Sequence, residues 1–199
     1  MTKRGGLSLV VLAGPNGAGK STAAPALLKG VLGVKEFVNA DVIARGLSAF
    51  DAEGAAFAAG RVMLARLREV ARQRVSFAFE TTMASRSFAP WISGLVDTDY
   101  AFHLVFLWLP SAEFAIARVA ERVRMGGHDV PADTVRRRYR AGLRNFFALY
   151  RPLAATWRVY DNSGAPPPRL IAAGQGADAT RVPDRRTWEA IEREYGDGD

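Results

Sequence analysis

Leu7-Ser-Leu-Val-Val-Leu-Ala13 runs directly into Gly14-Pro15-Asn16-Gly17-Ala18-Gly19-Lys20-Ser21, with Thr22 next. The apolar run fits a strand buried on both faces, as in a parallel sheet. The segment behind it matches G-x-x-x-x-G-K-S. Its glycines let backbone N–H groups turn inward around an anion. The loop opens a helix expected over Lys20 to Lys29, punctuated by Gly30 and Gly33, and the positive end of that helix favours phosphate. Lys20 adds a compact charge for β- and γ-phosphates. The Ser21 hydroxyl is a candidate Mg²⁺ ligand. Residues Gly14 to Thr22 are therefore the expected nucleotide-binding segment.

Working outward, short apolar segments alternate with helical ones. Strands are expected at Glu36–Asp41, Val75–Glu80, Ala101–Leu109, Trp157–Tyr160 and Arg169–Ala173. Helices are expected over Asp51–Arg74, Arg86–Leu95, Ser111–Arg124, Ala132–Tyr150 and Val182–Tyr195, with Ser111 as a cap and Gly196–Asp199 as a frayed tail. This alternation predicts an α/β fold of the P-loop NTPase/kinase kind. Its sheet would have five to six mostly parallel strands with helices on both faces. A length of 199 residues suits a single domain, with a lid around residues 122–138.

Composition narrows the chemistry. There is no cysteine, and His103 and His128 are the two histidines, which disfavours a Cys- or His-built metal site. The net charge is +7, carried mostly by arginine, which suits phosphorylated partners. No apolar run approaches the roughly 20 residues of a membrane helix. A cytoplasmic protein with no membrane contact is expected.

Two carboxylates stand at expected strand ends, where ligands bind in such sheets. Asp41 follows a strand expected beside the first. It could take a proton from an acceptor hydroxyl, with Asn39 helping to place it, or cap a helix from Val42. Glu80, followed by Thr81 and Thr82, could bind Mg²⁺ through water, hold the acceptor's hydroxyls, or pair with an arginine.

On the Ser111–Arg124 helix, Ala112, Ile116, Val119 and Val123 form the expected core stripe, while Arg118 and Arg122 share another face. Like charges at this spacing repel, and an anion would relieve them. Gly126-Gly127-His128 follows as a mobile loop. On the next helix Val135, Tyr139, Leu143, Phe146 and Tyr150 make the core stripe. Arg136 and Arg138 flank it, within reach of a phosphate, whereas Arg137 and Arg144 point away. The aromatics lie on the core stripe, so they are not available to stack nucleic-acid bases. His103, inside an apolar strand, is expected to be structural.

Ala13 to Thr22, Asn39-Ala-Asp41, Phe79-Glu-Thr-Thr82 and Arg118-Val-x-x-Arg122-Val together resemble the zeta toxin family of P-loop kinases. Gly126-Gly-His-x-Val-Pro131, Arg137-Arg-Tyr139 and Tyr160-Asp-Asn-Ser163 extend the resemblance, which covers roughly Leu7 to Gly174. It implies phosphorylation, by ATP or GTP with Mg²⁺, of a sugar hydroxyl on UDP-N-acetylglucosamine. It also implies an antitoxin protein as a partner. In that family the matching aspartate is the base, here Asp41, and the glutamate holds the sugar, here Glu80. Arginines around the lid contact the γ-phosphate, mapping to Arg118 or Arg122 and to one of Arg136, Arg137 and Arg138, with Arg138 preferred. Set beside the larger members of that family, a short chain without much of their C-terminal region is expected. Other acceptors remain in play: another sugar, a nucleoside or a nucleic-acid end. So does a switch that binds nucleotide without transferring phosphate.

Overall fold

The computed structural model describes residues 6–28, 34, 36–47, 56–127, 129–165 and 167–196. His128, Gly30, Gly33, the helix start expected at Asp51 and the end of the expected tail lie outside the described residues.

Strand β1 (Leu7–Ala13) occupies the middle of a seven-stranded sheet with strand order β2-β3-β1-β4-β5-β6-β7. Its neighbours β3 (Phe77–Thr81) and β4 (Tyr100–Trp108) both run parallel to it. β2 (Glu36–Val38) pairs with β3 and β5 (Thr156–Asp161) with β4, again in parallel. β6 (Arg169–Gln175) and β7 (Asp178–Arg181) complete the sheet as antiparallel strands. β1 is buried from Ser8 to Ala13, as a central parallel strand covered on both faces must be.

The helices among the described residues are α1 (Lys20–Leu28), α2 (Ala40–Leu47), α3 (Ala56–Arg72) and α4 (Phe88–Val96), then α5 (Ala112–Arg124), α6 (Ala132–Asn145) and α7 (Arg185–Tyr195). The Ser111 hydroxyl caps α5 by accepting from the Phe114 N–H at 3.0 Å, as expected. Helix α6 buries Val135, Tyr139 and Leu143, then widens into a π-helical turn (Phe146–Tyr150) that buries Phe146 and Tyr150. The expected stripe of α5 shifts: Ala112, Ala115 and Val119 are buried, whereas Ile116 and Val123 are partly covered.

Three expectations are corrected. The second strand ends at Val38, because the Asn39 Oδ1 accepts the backbone N–H groups of Asp41 (2.8 Å) and Val42 (3.2 Å) and so starts a helix. The cap of α2 is thus Asn39, and Asp41 sits in its first turn. β2 is not beside β1, since β3 lies between them. The seventh strand, β7, was not expected: all four of its residues are exposed, so it carries no apolar pattern.

Candidate functional site

The loop between β1 and α1 is fixed by close backbone packing. Gly17 (φ +78°) faces α5, where a Cβ would meet the Ala115 carbonyl oxygen at 2.8 Å. Gly19 (φ +73°) faces the Asn162 amide, where a Cβ would come within 2.9 Å of Nδ2. Both conformations are in the region that glycine alone adopts freely. Lys20 is buried, and its Nζ donates to the carbonyls of Gly14 and Pro15, each at 2.9 Å. Burial pulls its pKa below the usual 10.5. The carboxylates of Glu80 and Asp41 oppose that shift, and the Arg122 charge adds to it. Lys20, Asp41, Glu80 and Arg122 therefore share one electrostatic neighbourhood.

Glu80, near the end of β3, is the hub of the polar network. Its Oε1 lies 3.7 Å from Lys20 Nζ, and its side chain is 11% exposed. Its Oε2 accepts from Ser21 Oγ at 2.8 Å and from Asn39 Nδ2 at 2.7 Å. Asn39, buried, also approaches Ser21 Oγ at 3.3 Å. One face of its amide thus reaches the phosphate loop while the other caps α2, tying the start of the helix that carries Asp41 to Glu80. Of the alternatives for Glu80, pairing is with Lys20 rather than with an arginine.

The remaining expected residues divide. Asp41 is exposed, and its charge acts on both Lys20 and half-buried Arg138. Burial and then Arg137 lower the pKa of Arg138, and Asp41 opposes them. Arg122 acts on Lys20, and Gly127 packs so close that a Cβ there would touch its side chain. Arg118 turns elsewhere: its Nη2 donates to the Ser163 carbonyl at 3.0 Å, and its guanidinium sits 5.3 Å from the Phe114 ring centre. Arg136 is committed at the surface to Glu113 and Asp133. Thr81 Oγ1 accepts the Met83 N–H at 3.0 Å, shaping the turn after β3 rather than pointing freely. Thr82 presents its carbonyl to Gly142 of α6, where a Cβ would lie 2.6 Å away. Asn16 stays on the loop with a buried Oδ1 that has no hydrogen-bond partner among the described residues. Pro15 turns the same loop, accepting the Ala18 N–H at 3.2 Å, while Thr22 is exposed on α1.

Asn145 and Asn162 had no role assigned by sequence, and Tyr150 was expected only in the core. Asn145 Nδ2 donates to the carbonyls of Met83 (2.9 Å) and Ala84 (3.1 Å), and Tyr150 Oη donates to that of Ser85 (2.6 Å). Together they hold the β3–α4 loop, in which buried Met83 adopts φ +61°. Asn162 Nδ2 donates to the Ala18 carbonyl at 2.8 Å. The Asp-Asn-Ser stretch that closes β5 was visible in the sequence, but nothing in its pattern announced a contact across 144 residues of chain. His103 is structural in its setting: Nδ1 lies 2.8 Å from Thr156 Oγ1, on the neighbouring strand. Among the described residues no helix is long and apolar enough to cross a membrane.

A family model described as an AAA domain matches residues 9–149, more than half of the chain. An uncharacterized protein of Haemophilus influenzae is 28% identical over 126 residues, 63% of this chain and 88% of that protein. Among solved structures, AvrRxo1-ORF1 in complex with AvrRxo1-ORF2 and ATP superposes with a TM-score of 0.67 at 19% identity. The match covers 93% of this chain and 63% of that one, so the present chain spans less than two thirds of that neighbour's length. The PezAT chromosomal toxin–antitoxin system of Streptococcus pneumoniae gives a TM-score of 0.62 at 12% identity, covering 98% of this chain and 87% of that one. A chain of the Pnkp1/Rnl/Hen1 RNA repair complex gives 0.55 at 18% identity, over 70% and 45% of the two chains. These likenesses establish a shared fold.

Proposed function

The chain belongs to the AAA domain family, and from that premise we propose that it transfers the γ-phosphoryl group of ATP or GTP to a hydroxyl of a small molecule. The resemblance to zeta toxins favours the sugar of UDP-N-acetylglucosamine as the acceptor. The observation that carries this proposal is the network joining Lys20, Ser21, Asn39 and Glu80, with Asp41 in electrostatic reach of Lys20. A phosphate loop alone would serve a switch; a carboxylate held beside it serves an acceptor.

In this proposal the inward N–H groups of Gly17 to Ser21 and the Lys20 ammonium cradle the phosphates. Asp41 accepts the proton as the acceptor oxygen bonds to the γ-phosphorus, and the bond to the bridging oxygen breaks to release the diphosphate. Arg122 and Arg138 supply positive charge to this centre. Ser21 Oγ and the Glu80 carboxylate are hard oxygen donors of the kind Mg²⁺ takes. No group of three or more His, Asp or Glu side chains converges among the described residues. Ser21 would therefore hold the ion directly and Glu80 through water, as in other sites where Mg²⁺ keeps much of its hydration. The ion would neutralise charge on the phosphates. A nucleotide donor fits a cytoplasmic protein. An inhibitory partner protein is part of the same proposal, supported by the PezAT toxin–antitoxin likeness.

The outer face of α6 favours a second acceptor. Arg136, Arg137, Arg140 and Arg144 line one open groove together with Asp133. That face suits an acceptor bearing phosphates of its own, such as a nucleic-acid end. Incubation with UDP-N-acetylglucosamine, MgATP or MgGTP, read by product mass, tests both. A gain of one phosphate that is lost in Asp41→Ala supports the sugar acceptor. Phosphorylation of a 5′-hydroxyl oligonucleotide instead supports the second. Nucleotide binding without any transfer would leave the switch.

A further inference from the structure

We propose that Asn162, on the turn leaving β5, is a positioning residue that locks the phosphate loop in its anion-binding shape. The proposal rests on the phosphate-loop assignment above. The peptide linking Ala18 to Gly19 carries a C=O and an N–H that point to opposite sides, because the trans amide is planar. The Asn162 Nδ2 donates to the Ala18 C=O at 2.8 Å. Fixing that carbonyl outward fixes the Gly19 N–H inward, where phosphate oxygens would sit. Gly19 has φ +73°, a conformation with little intrinsic preference to hold it in place. The same amide sits 2.9 Å from where a Gly19 Cβ would be, so it also reserves the space that the glycine leaves.

Asn162 can act as a fixed post because its own turn is anchored. Its N–H donates to the Trp108 carbonyl at 3.1 Å, which ties it to the end of β4. Asp161 Oδ1 accepts the Ser163 N–H at 2.9 Å, while Oδ2 pairs with Arg169 at 3.0 Å. Arg169 also pairs with Asp184 at 2.8 Å, and Asp184 caps α7. On the far side the Ser163 carbonyl accepts from Arg118 of α5 at 3.0 Å. The turn therefore clasps the phosphate loop with one residue and α5 with the next. Arg118 belongs to this clasp, which separates it from Arg122, whose charge falls on Lys20.

The test is calorimetric titration of the full chain with MgATP and, separately, with magnesium tripolyphosphate, which has no base or ribose. Asn162→Leu keeps the side chain's shape and removes its donor. The expected result is about tenfold weaker binding of both ligands, a loss of about 1.4 kcal/mol. The far-ultraviolet circular dichroism should stay at the wild-type value, with the thermal midpoint lowered by no more than a few degrees. Unchanged MgATP affinity in folded Asn162→Leu would overturn the proposal. So would weakened MgATP with unchanged tripolyphosphate, which would put Asn162 on the nucleoside instead. Should Asn162→Leu fold poorly, Asn162→Ser removes the amide without adding apolar surface and carries the same expectations. Lys20→Ala runs alongside: if it too binds normally, the phosphate-loop assignment fails with the clasp, whereas a weakened Lys20→Ala beside a normal Asn162→Leu sinks the clasp alone.

Discussion

The phosphate loop and helix α2 both follow the C-terminal ends of parallel strands, β1 and β2, but are held very differently. The loop is gripped from several sides: Ala115 of α5 closes on Gly17, Asn162 on Gly19 and Ala18, and Lys20 on the carbonyls of Gly14 and Pro15. Helix α2 buries Ala44 alone, leaves Val42 and Leu47 half exposed, and is tied to the site through Asn39. The half that would hold nucleotide is built in advance, so little ordering remains to oppose binding. The half that carries Asp41 is lightly tethered, as expected of a segment that adjusts to its acceptor.

This contrast can be broken in several ways. Lys20→Ala should bring the largest change, a loss of at least about a thousandfold in transfer, because it removes preorganised charge from the phosphates. Retained transfer in a product-mass assay would refute the assignment. Asp41→Ala should cost about a hundredfold in kcat, the scale of a general base, with nucleotide affinity kept. Equal turnover would assign proton removal elsewhere. Gly17→Ala and Gly60→Ala make a matched pair. At Gly17 the added methyl meets the Ala115 carbonyl at 2.8 Å in a left-handed conformation, and about 1–2 kcal/mol should be lost from that backbone strain alone. At Gly60, inside α3, nothing among the described residues lies within 4 Å, and roughly 0.5–1 kcal/mol should be gained. Urea midpoints of the two variants should move in opposite directions; movement in the same direction would deny the contrast.

The smallest effect concerns pH. Burial pulls His103 below its ordinary 6.5, with Arg158 adding to the shift. As pH falls through about 6.5 the unfolded chain binds a proton that the folded chain still refuses. Stability contributed by this group is therefore present above that value and lost below it. Urea midpoints should fall between about pH 7.5 and 5.5 by slightly more in the wild type than in His103→Gln. An identical fall would show that His103 does not contribute.

The centre of the sheet was legible in the sequence because β1 and β4 are largely apolar runs and the loop has a spacing imposed by the chemistry of phosphate binding. The core stripe of α6 was legible for a similar reason, since Val135, Tyr139, Leu143, Phe146 and Tyr150 recur at helical spacing and all are buried. Elements whose form depends on one side chain were not. Asn39 ends β2 by drawing two N–H groups into a helix, and a propensity for strand in Phe37 and Val38 cannot reveal that competition. β7 has no apolar face to read. The contacts of Asn145 and Asn162 join segments far apart in the chain, and a single polar residue leaves no periodic trace. Arg118 and Arg122 looked equivalent on one helical face, and only their partners, Ser163 and the Lys20 neighbourhood, distinguish them.

The borders of the sheet have a consequence for life in a crowded solution. It ends on one side in a strand of three residues, Glu36–Val38, and on the other in the four exposed residues Asp178–Arg181. Glu36 is bound to Arg66 of α3 at 2.9 Å, which places an ion pair on the first of these margins. Unpaired strand margins recruit other chains when they are long, flat and apolar. Short margins bearing charge offer a second molecule little to extend. The interior strands rich in Val, Leu and Phe are thus bracketed by short, charge-bearing strands that give a second molecule little edge to extend.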